Sequence, residues 1–312
     1  MSLVVIGSVA YDAIETPHGK RERALGGACT YISLSASYFT KPSIVGVVGE
    51  DFATEDRELL ASKGVDLEGL EQVPGKTFFW SGVYSDDMND RTTRRTDLNV
   101  FADFQPKLPA SYVNAPYLFL GNIQPTLQRD VYQQMKKLRF VGGDTMNYWI
   151  ADHQKDLLAT IKDWDFLLIN DGEARMLAQE NNLRKAAQKI LDLGPRTLVI
   201  KRGEYGATIF FRDGFAGGGN HPFRAPALPI EEVVDPTGAG DSFAGGFMGY
   251  VARTGDLSDA GLRRAVVYGS AMGSFAVERF SVQRLLEITP ADIASRVADF
   301  RRLVAFEEER PA

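Results

Sequence analysis

An α/β architecture follows from two features of the chain. From Tyr117 onward, short β-branched runs alternate with segments of helical period, and the runs are apolar at nearly every position. Strands alternating with helices pair in parallel through crossover helices, which cover the sheet on both faces. The expectation is a mostly parallel central sheet with helices on both faces, and with ligand sites at the carboxyl ends of the strands.

The elements follow in order. Leu3–Ile6 is a buried strand ending at Gly7, and small and apolar residues at helical spacing run from Ala28 to Phe39. Ser43–Val48 reads as a strand, and Asp51–Lys63 as a surface helix stopped by Gly64. Thr77–Tyr84 and Arg91–Val100 flank the turn Asp86–Asp90, which predicts a β-hairpin of about 76–101 inserted in the α/β chain. Strands are expected at 117–122, 139–145, 165–171, 197–203 and 207–211, with helices at 128–138, around 155–162 and over 172–193. The last third is helical, at 239–253, 257–277 and 290–308, and Gly217–Gly219 reads as a hairpin tip.

The 312-residue length fits one large domain, 1–312, with the hairpin inside it. The net charge of −6 argues against nucleic acid and membrane surfaces, both polyanions, as partners. The single Cys29 excludes an internal disulfide, and three scattered histidines make a His/Cys zinc site a poor reading. No apolar run approaches 18 residues, and the first residues read as a strand, so the expected location is the cytoplasm.

The informative segment is Val233–Phe247, VVDPTGAGDSFAGGF. Pro236 ends a strand because it cannot donate to a ladder. Gly238-Ala239-Gly240 then turns the backbone tightly into a helix of small apolar residues, whose first N–H groups form an anion site. Asp241 lies in the first helical turn. A carboxylate beside a bound phosphate is repelled, so it fits a base that receives a hydroxyl proton better than it fits a simple cap.

This string resembles the C-terminal signature of the ribokinase-like, or PfkB, family of carbohydrate and nucleoside kinases, and weaker motifs follow in the family's order. The resemblance implies a three-layer α/β/α fold with a hairpin lid, and ATP with Mg²⁺ as cofactors. It implies Asp241 as catalytic base and the backbone of Gly238, Ala239 and Gly240 as anion hole. Gly26 and Gly27 match the double-glycine motif that closes over the acceptor, Asp12 matches the aspartate that binds its hydroxyls, and Asn122 is placed with them. Asp144-Thr-Met-Asn147 resembles the D-x-N element. Asn170 and Glu173 resemble the N-x-x-E element that holds Mg²⁺ through water. Lys201, Gly203 and Gly206 resemble the K-x-G-x-x-G turn at the nucleotide, joined by Thr237, with the purine expected between that turn and the helix around Val267–Ser270. Asp235, Thr237 and the segment 276–281 lie where some members bind a monovalent cation such as K⁺.

Two lookalikes fail. Gly75-Lys76-Thr77 lacks a glycine at Walker A spacing, and Gly203–Gly206 leads into a strand where a dinucleotide fingerprint needs a helix. One departure stands out: where sugar-binding members carry Asn, four residues after the second glycine, this chain has Tyr31, which either packs within its helix or meets the ligand. Phe78, Phe79 and Trp80 make the lid aromatic, and alternation lets only half of them face substrate. The acceptor is then a sugar or sugar derivative, or alternatively a nucleoside. A third reading, an inactive sensor of such a ligand, conflicts with the intact GAGD string. The resemblance also allows a homodimer, since lids of the family can form dimer clasps, and the aromatic hairpin gives an exposed apolar face that either a second copy or the substrate would cover.

Overall fold

The computed structural model describes residues 2–212 and 221–306. The chain opens with β1 (Leu3–Ile6), β2 (Ala10–Thr16), β3 (Gly19–Gly26), α1 (Ala28–Ala36), β4 (Pro42–Val48), α2 (Thr54–Ser62) and β5 (Asp66–Gln72). Then come β6 (Phe78–Tyr84), β7 (Arg91–Asp97), β8 (Tyr117–Leu120), α3 (Pro125–Gln134), β9 (Phe140–Asp144), α4 (Asn147–Asp152) and α5 (Gln154–Ile161). The central run closes with β10 (Phe166–Asn170), α6 (Asp171–Ala178), α7 (Leu183–Asp192), β11 (Thr197–Lys201), β12 (Ala207–Phe211) and β13 (Phe223–Ala225). Four helices follow among the described residues: α8 (Ala239–Thr254), α9 (Asp259–Ala276), α10 (Gln283–Glu287) and α11 (Pro290–Val304).

Among the described residues the main sheet has nine strands in the order β13-β12-β11-β10-β9-β8-β1-β4-β5. All neighbours from β11 to β5 run parallel, and β12 and β13 are added antiparallel at one edge. Alternation along the buried strands builds two cores. Leu3, Val5, Phe119, Phe166 and Val199 face α1, α8 and α9, while Val4, Ile6, Leu118, Ile169 and Ile200 face α3, α5, α6 and α7. The three-layer α/β/α expectation therefore holds. Gly245 and Gly246 let α8 lie close to its neighbours: a methyl on the first would overlap the Ile32 carbonyl, and one on the second would stand 2.7 Å from Met272.

The lid differs from the expected hairpin. It is a four-stranded sheet, β3-β2-β6-β7, in which β2 from the N-terminal segment pairs in parallel with β6. β3 escaped the sequence reading because GKRERALG has no apolar period and its first five residues are exposed. Thr77, in the Walker-like triplet, is the joint where the chain enters the lid. Its hydroxyl donates to Asp51 at 2.7 Å and accepts from the Gly49 amide at 3.1 Å.

Three other expectations are corrected. The helix at 172–193 is two, α6 and α7, broken at Gln179 in the left-handed region (φ 48°). The helix at 155–162 is preceded by a separate one, α4, and β5 was missed altogether. The exposed apolar lid face is absent among the described residues. Phe78 stacks on Phe101 at 5.4 Å, Arg95 covers Phe79, and the outer strand β7 reads RTTRRTD. The Gly217–Gly219 tip lies outside the described residues.

Candidate active site

Four strands deliver polar residues to one edge of the sheet. Asp144, Asn170 and Lys201 are the last residues of β9, β10 and β11, and Asn122 follows β8 by two. Apolar strands buried on both faces end where the first polar side chain can reach the crevice, so their carboxyl ends gather the site.

The Gly238–Gly240 turn, the expected anion loop, stands over this edge. Gly238 adopts φ 74° and caps α8; the Ala239 amide donates to the Pro236 carbonyl at 3.2 Å, while the amides of Gly240 and Asp241 precede the first helix-closing bond, Ser242 N–H to Gly238 O, and have no intrahelical partner. A side chain at 238 would be strained by that φ and would also overlap the Tyr31 ring. The Lys201 ammonium lies against Gly240, 2.6 Å from where a methyl would stand. Asp241 thus sits beside a fixed cation and the positive end of a 16-residue helix. Burial pushes its carboxyl up, while Lys201 and Arg91 pull it down.

Asp144 faces the same cation. Burial and the Asp241 charge push its carboxyl well up, and its Oδ1 is buried without a hydrogen-bond partner. Asn170 and Glu173 form a capping box. The Glu173 amide donates to Asn170 Oδ1 and the Asn170 amide to Glu173 Oε2, each at 2.8 Å. Burial raises Glu173, opposed by Lys201, the Asn170 amide and Arg91. The Lys201–Gly206 turn closes through Arg202 N to Gly206 O at 2.8 Å, with Gly203 at φ 51° and Gly206 at φ 89°.

On the side where the resemblance expects the acceptor, Asp12 is buried. Burial, then the Asp235 and Asp241 charges, push its carboxyl up to about 7. Its carboxylate occupies the space a side chain at Gly26 would need, which is why that position is glycine. Asp12 and Trp80 are register partners in β2 and β6, so both project from the same face of the lid. Asp235 is fully buried, and its two oxygens accept from the amides of Thr237 (2.9 Å) and Ser281 (2.8 Å). Thr237 also donates its hydroxyl to Tyr84 Oη at 3.0 Å, tying the anion loop to the lid.

Two predicted acceptor residues are otherwise engaged. Tyr31 is 1% exposed and packs its ring against Gly238, so it presents no open stacking face. Asn122 spends its amide on Met146 Sδ and the Trp149 indole N–H, at 3.1 and 2.8 Å. Tyr84 and Arg91 were missed. They sit in a strand pair whose sequence gives no sign of which residues turn inward. Asp144 was visible only as part of a weak element.

Comparison with known proteins identifies the family and the fold. The pattern of the pfkB family carbohydrate kinases matches residues 1–289. A cytidine kinase of Thermococcus kodakarensis is 32% identical over 277 residues, covering 85% of this chain and 95% of that one. A nucleoside kinase of Methanothermobacter thermautotrophicus is 28% identical over 294 residues, covering 88% and 89%. The crystal structure of a Methanocaldococcus jannaschii nucleoside kinase, described as an archaeal member of the ribokinase family, superposes with a TM-score of 0.76. It covers 96% of this chain and 98% of that one at 19% identity. With helix-capped glycines over a polar sheet edge and a match running nearly end to end, this chain belongs to the pfkB family of carbohydrate kinases and is an ATP-dependent kinase.

Proposed function

We propose that the chain transfers the γ-phosphoryl group of ATP to the primary hydroxyl of a nucleoside, with Asp241 as the base. The observation that carries the nucleoside reading is the pairing of Trp80 with Asp12 on one lid face. It sets an aromatic plane beside a carboxylate suited to ribose hydroxyls. Gly82 leaves room for the indole, since any side chain there would overlap it. The cytidine and nucleoside kinases among its relatives support the same choice over a free sugar.

In this mechanism Asp12 and the Gly26–Gly27 backbone orient the acceptor. Asp241 takes the hydroxyl proton as the oxygen attacks in line, and its raised pKa brings it nearer to a useful base strength. The Gly238, Ala239 and Gly240 amides and Lys201 meet the charge developing on the transferred group. The Lys201–Gly206 turn and Thr237 hold the nucleotide. Magnesium, when bound with ATP, would neutralise phosphate charge. Asn170 and Glu173 fit it through water rather than directly, because their cap already uses one oxygen of each. Asp235 fits a monovalent cation, being fully buried with only backbone amides and Thr237 to balance its charge.

Two measurements test this. A panel of cytidine, adenosine, inosine, ribose, fructose and 2-keto-3-deoxygluconate, read by ADP release, is expected to give its highest kcat/KM with a nucleoside. A free sugar turning over best would overturn the nucleoside reading. Calorimetric affinity for the best acceptor is expected to weaken as pH falls through about 7, because Asp12 gains a proton and can no longer accept from two hydroxyls. In Asp12→Asn the affinity is expected to be weak and flat between pH 6 and 8, as roughly the range over which this carboxyl titrates. An unchanged pH dependence in that variant would remove Asp12 from the acceptor site.

A further inference from the structure

We propose that Arg91 is a further catalytic residue, a lid-borne guanidinium that contacts the γ-phosphoryl group during transfer, so that the site is complete only with the lid closed. This inference rests on the kinase mechanism above.

The lid tip is anchored on both sides of the reaction centre. On one side the Tyr84 hydroxyl is bonded to Thr237 of the anion loop at 3.0 Å. On the other, Asn89 donates to Glu204 of the nucleotide turn at 3.3 Å. Arg91 lies between these anchors, as the direct cross-strand partner of Tyr84. Its guanidinium stands 5.7 Å from the Trp80 ring centroid, and its charge draws the Tyr84 hydroxyl down against the raising effect of burial. The other arginines of the strand are neutralised within the lid: Arg94 pairs with Glu15 at 2.6 Å and Arg95 with Asp97 at 2.5 Å. Among the described residues Arg91 has no carboxylate partner within ion-pair distance. Its charge nevertheless acts on Asp12, Glu173 and Asp241 together, which lie on the acceptor, nucleotide and catalytic sides of the crevice.

Charge balance gives such a cation a task. Asp12, Asp144, Glu173, Asp235 and Asp241 surround the crevice, and the incoming triphosphate is itself polyanionic. Lys201, fixed at the end of β11, meets one side of the phosphates. Arg91 approaches from the lid, and a planar guanidinium suits two phosphoryl oxygens at once.

The test uses the full chain with its best acceptor. Arg91→Ala is expected to lower kcat by about 10²-fold, the scale of one lost transition-state donor, while acceptor KM moves little. Guanidinium ion added to that variant is expected to recover part of the rate, and Arg91→Lys to lie between the two. The variant is also expected to bind MgADP as the native chain does and to lose the added stabilisation of the MgADP–aluminium fluoride complex. Arg94→Ala, which removes an exposed lid ion pair, is expected to leave turnover unchanged. A kcat for Arg91→Ala within about twofold of native, or a loss appearing wholly in acceptor KM without guanidinium rescue, would overturn the inference while leaving the kinase reading intact. A native chain that phosphorylates no acceptor and binds no aluminium fluoride complex would overturn both.

Discussion

Asp241→Asn is expected to bind ATP as the native chain does and to turn over about 10²- to 10⁴-fold more slowly, the range for a lost general base. The amide matches the carboxylate in size, so the first turn of α8 and the Gly238–Gly240 amides keep their places. What disappears is the acceptor for the hydroxyl proton. ATP affinity is expected to hold or to tighten slightly, because one negative charge is removed beside the phosphates. Single-turnover rates with saturating acceptor check the first expectation, and calorimetry with ATP checks the second. Near-native turnover would show that Asp241 is a helix-terminal charge and no base. The native rate is also expected to fall in acid. Burial raises this carboxyl, so its proton returns at a higher pH than an ordinary aspartate would require.

Gly238→Ala is the second large effect, expected to cost about 10³-fold in kcat/KM by displacing more than one donor of the anion hole. Two costs act together. Alanine at φ 74° carries a left-handed penalty of about 1–2 kcal/mol, and its methyl would overlap the Tyr31 ring. That ring is fully buried and cannot swing away, so the loop must shift. The amides of Ala239 and Gly240 shift with it, out of line with the transferring group. Thermal melting is expected to show a folded chain of modestly lower Tm, since the displaced segment is a loop and a helix end. Turnover within about tenfold of native would show that the amides do not carry the phosphoryl charge.

What could be read without coordinates depended on burial. The strands TLVIK, FLLIN and YLFL are enclosed on both faces, so each is apolar throughout and stood out as a strand. The lid had no such imprint. AYDAIET is buried by tertiary contact, GKRERALG is mostly exposed, and β6, which pairs with AYDAIET, begins more than fifty residues further on. Local period cannot report pairing over that distance, so the sequence shows only the hairpin at Asp86–Asp90 and not the other two strands of the lid. Among site residues, Asp241, Gly238 and Gly240 were legible because a tight turn into a helix needs glycines at fixed spacing. Arg91 and Tyr84 were not, because only the fold decides which face of a strand turns inward.

Tyr31 divides the two kinds of knowledge most clearly. The sequence alone gives an aromatic ring where the resemblance leads one to expect an amide, together with a glycine turn that is expected to bind phosphate, its adjoining carboxylate and the parallel α/β plan. Those features are local: spacing along one segment, or apolar runs that any buried strand must have. Only the tertiary structure decided that the ring lies beneath Gly238 and forces that glycine. It also decided that Asp12 meets Trp80 across strands, and that a lid arginine stands where its charge draws the Asp241 carboxyl down. Each of these joins residues distant in the chain, and such contacts are set by packing of whole layers, which no short stretch of sequence contains.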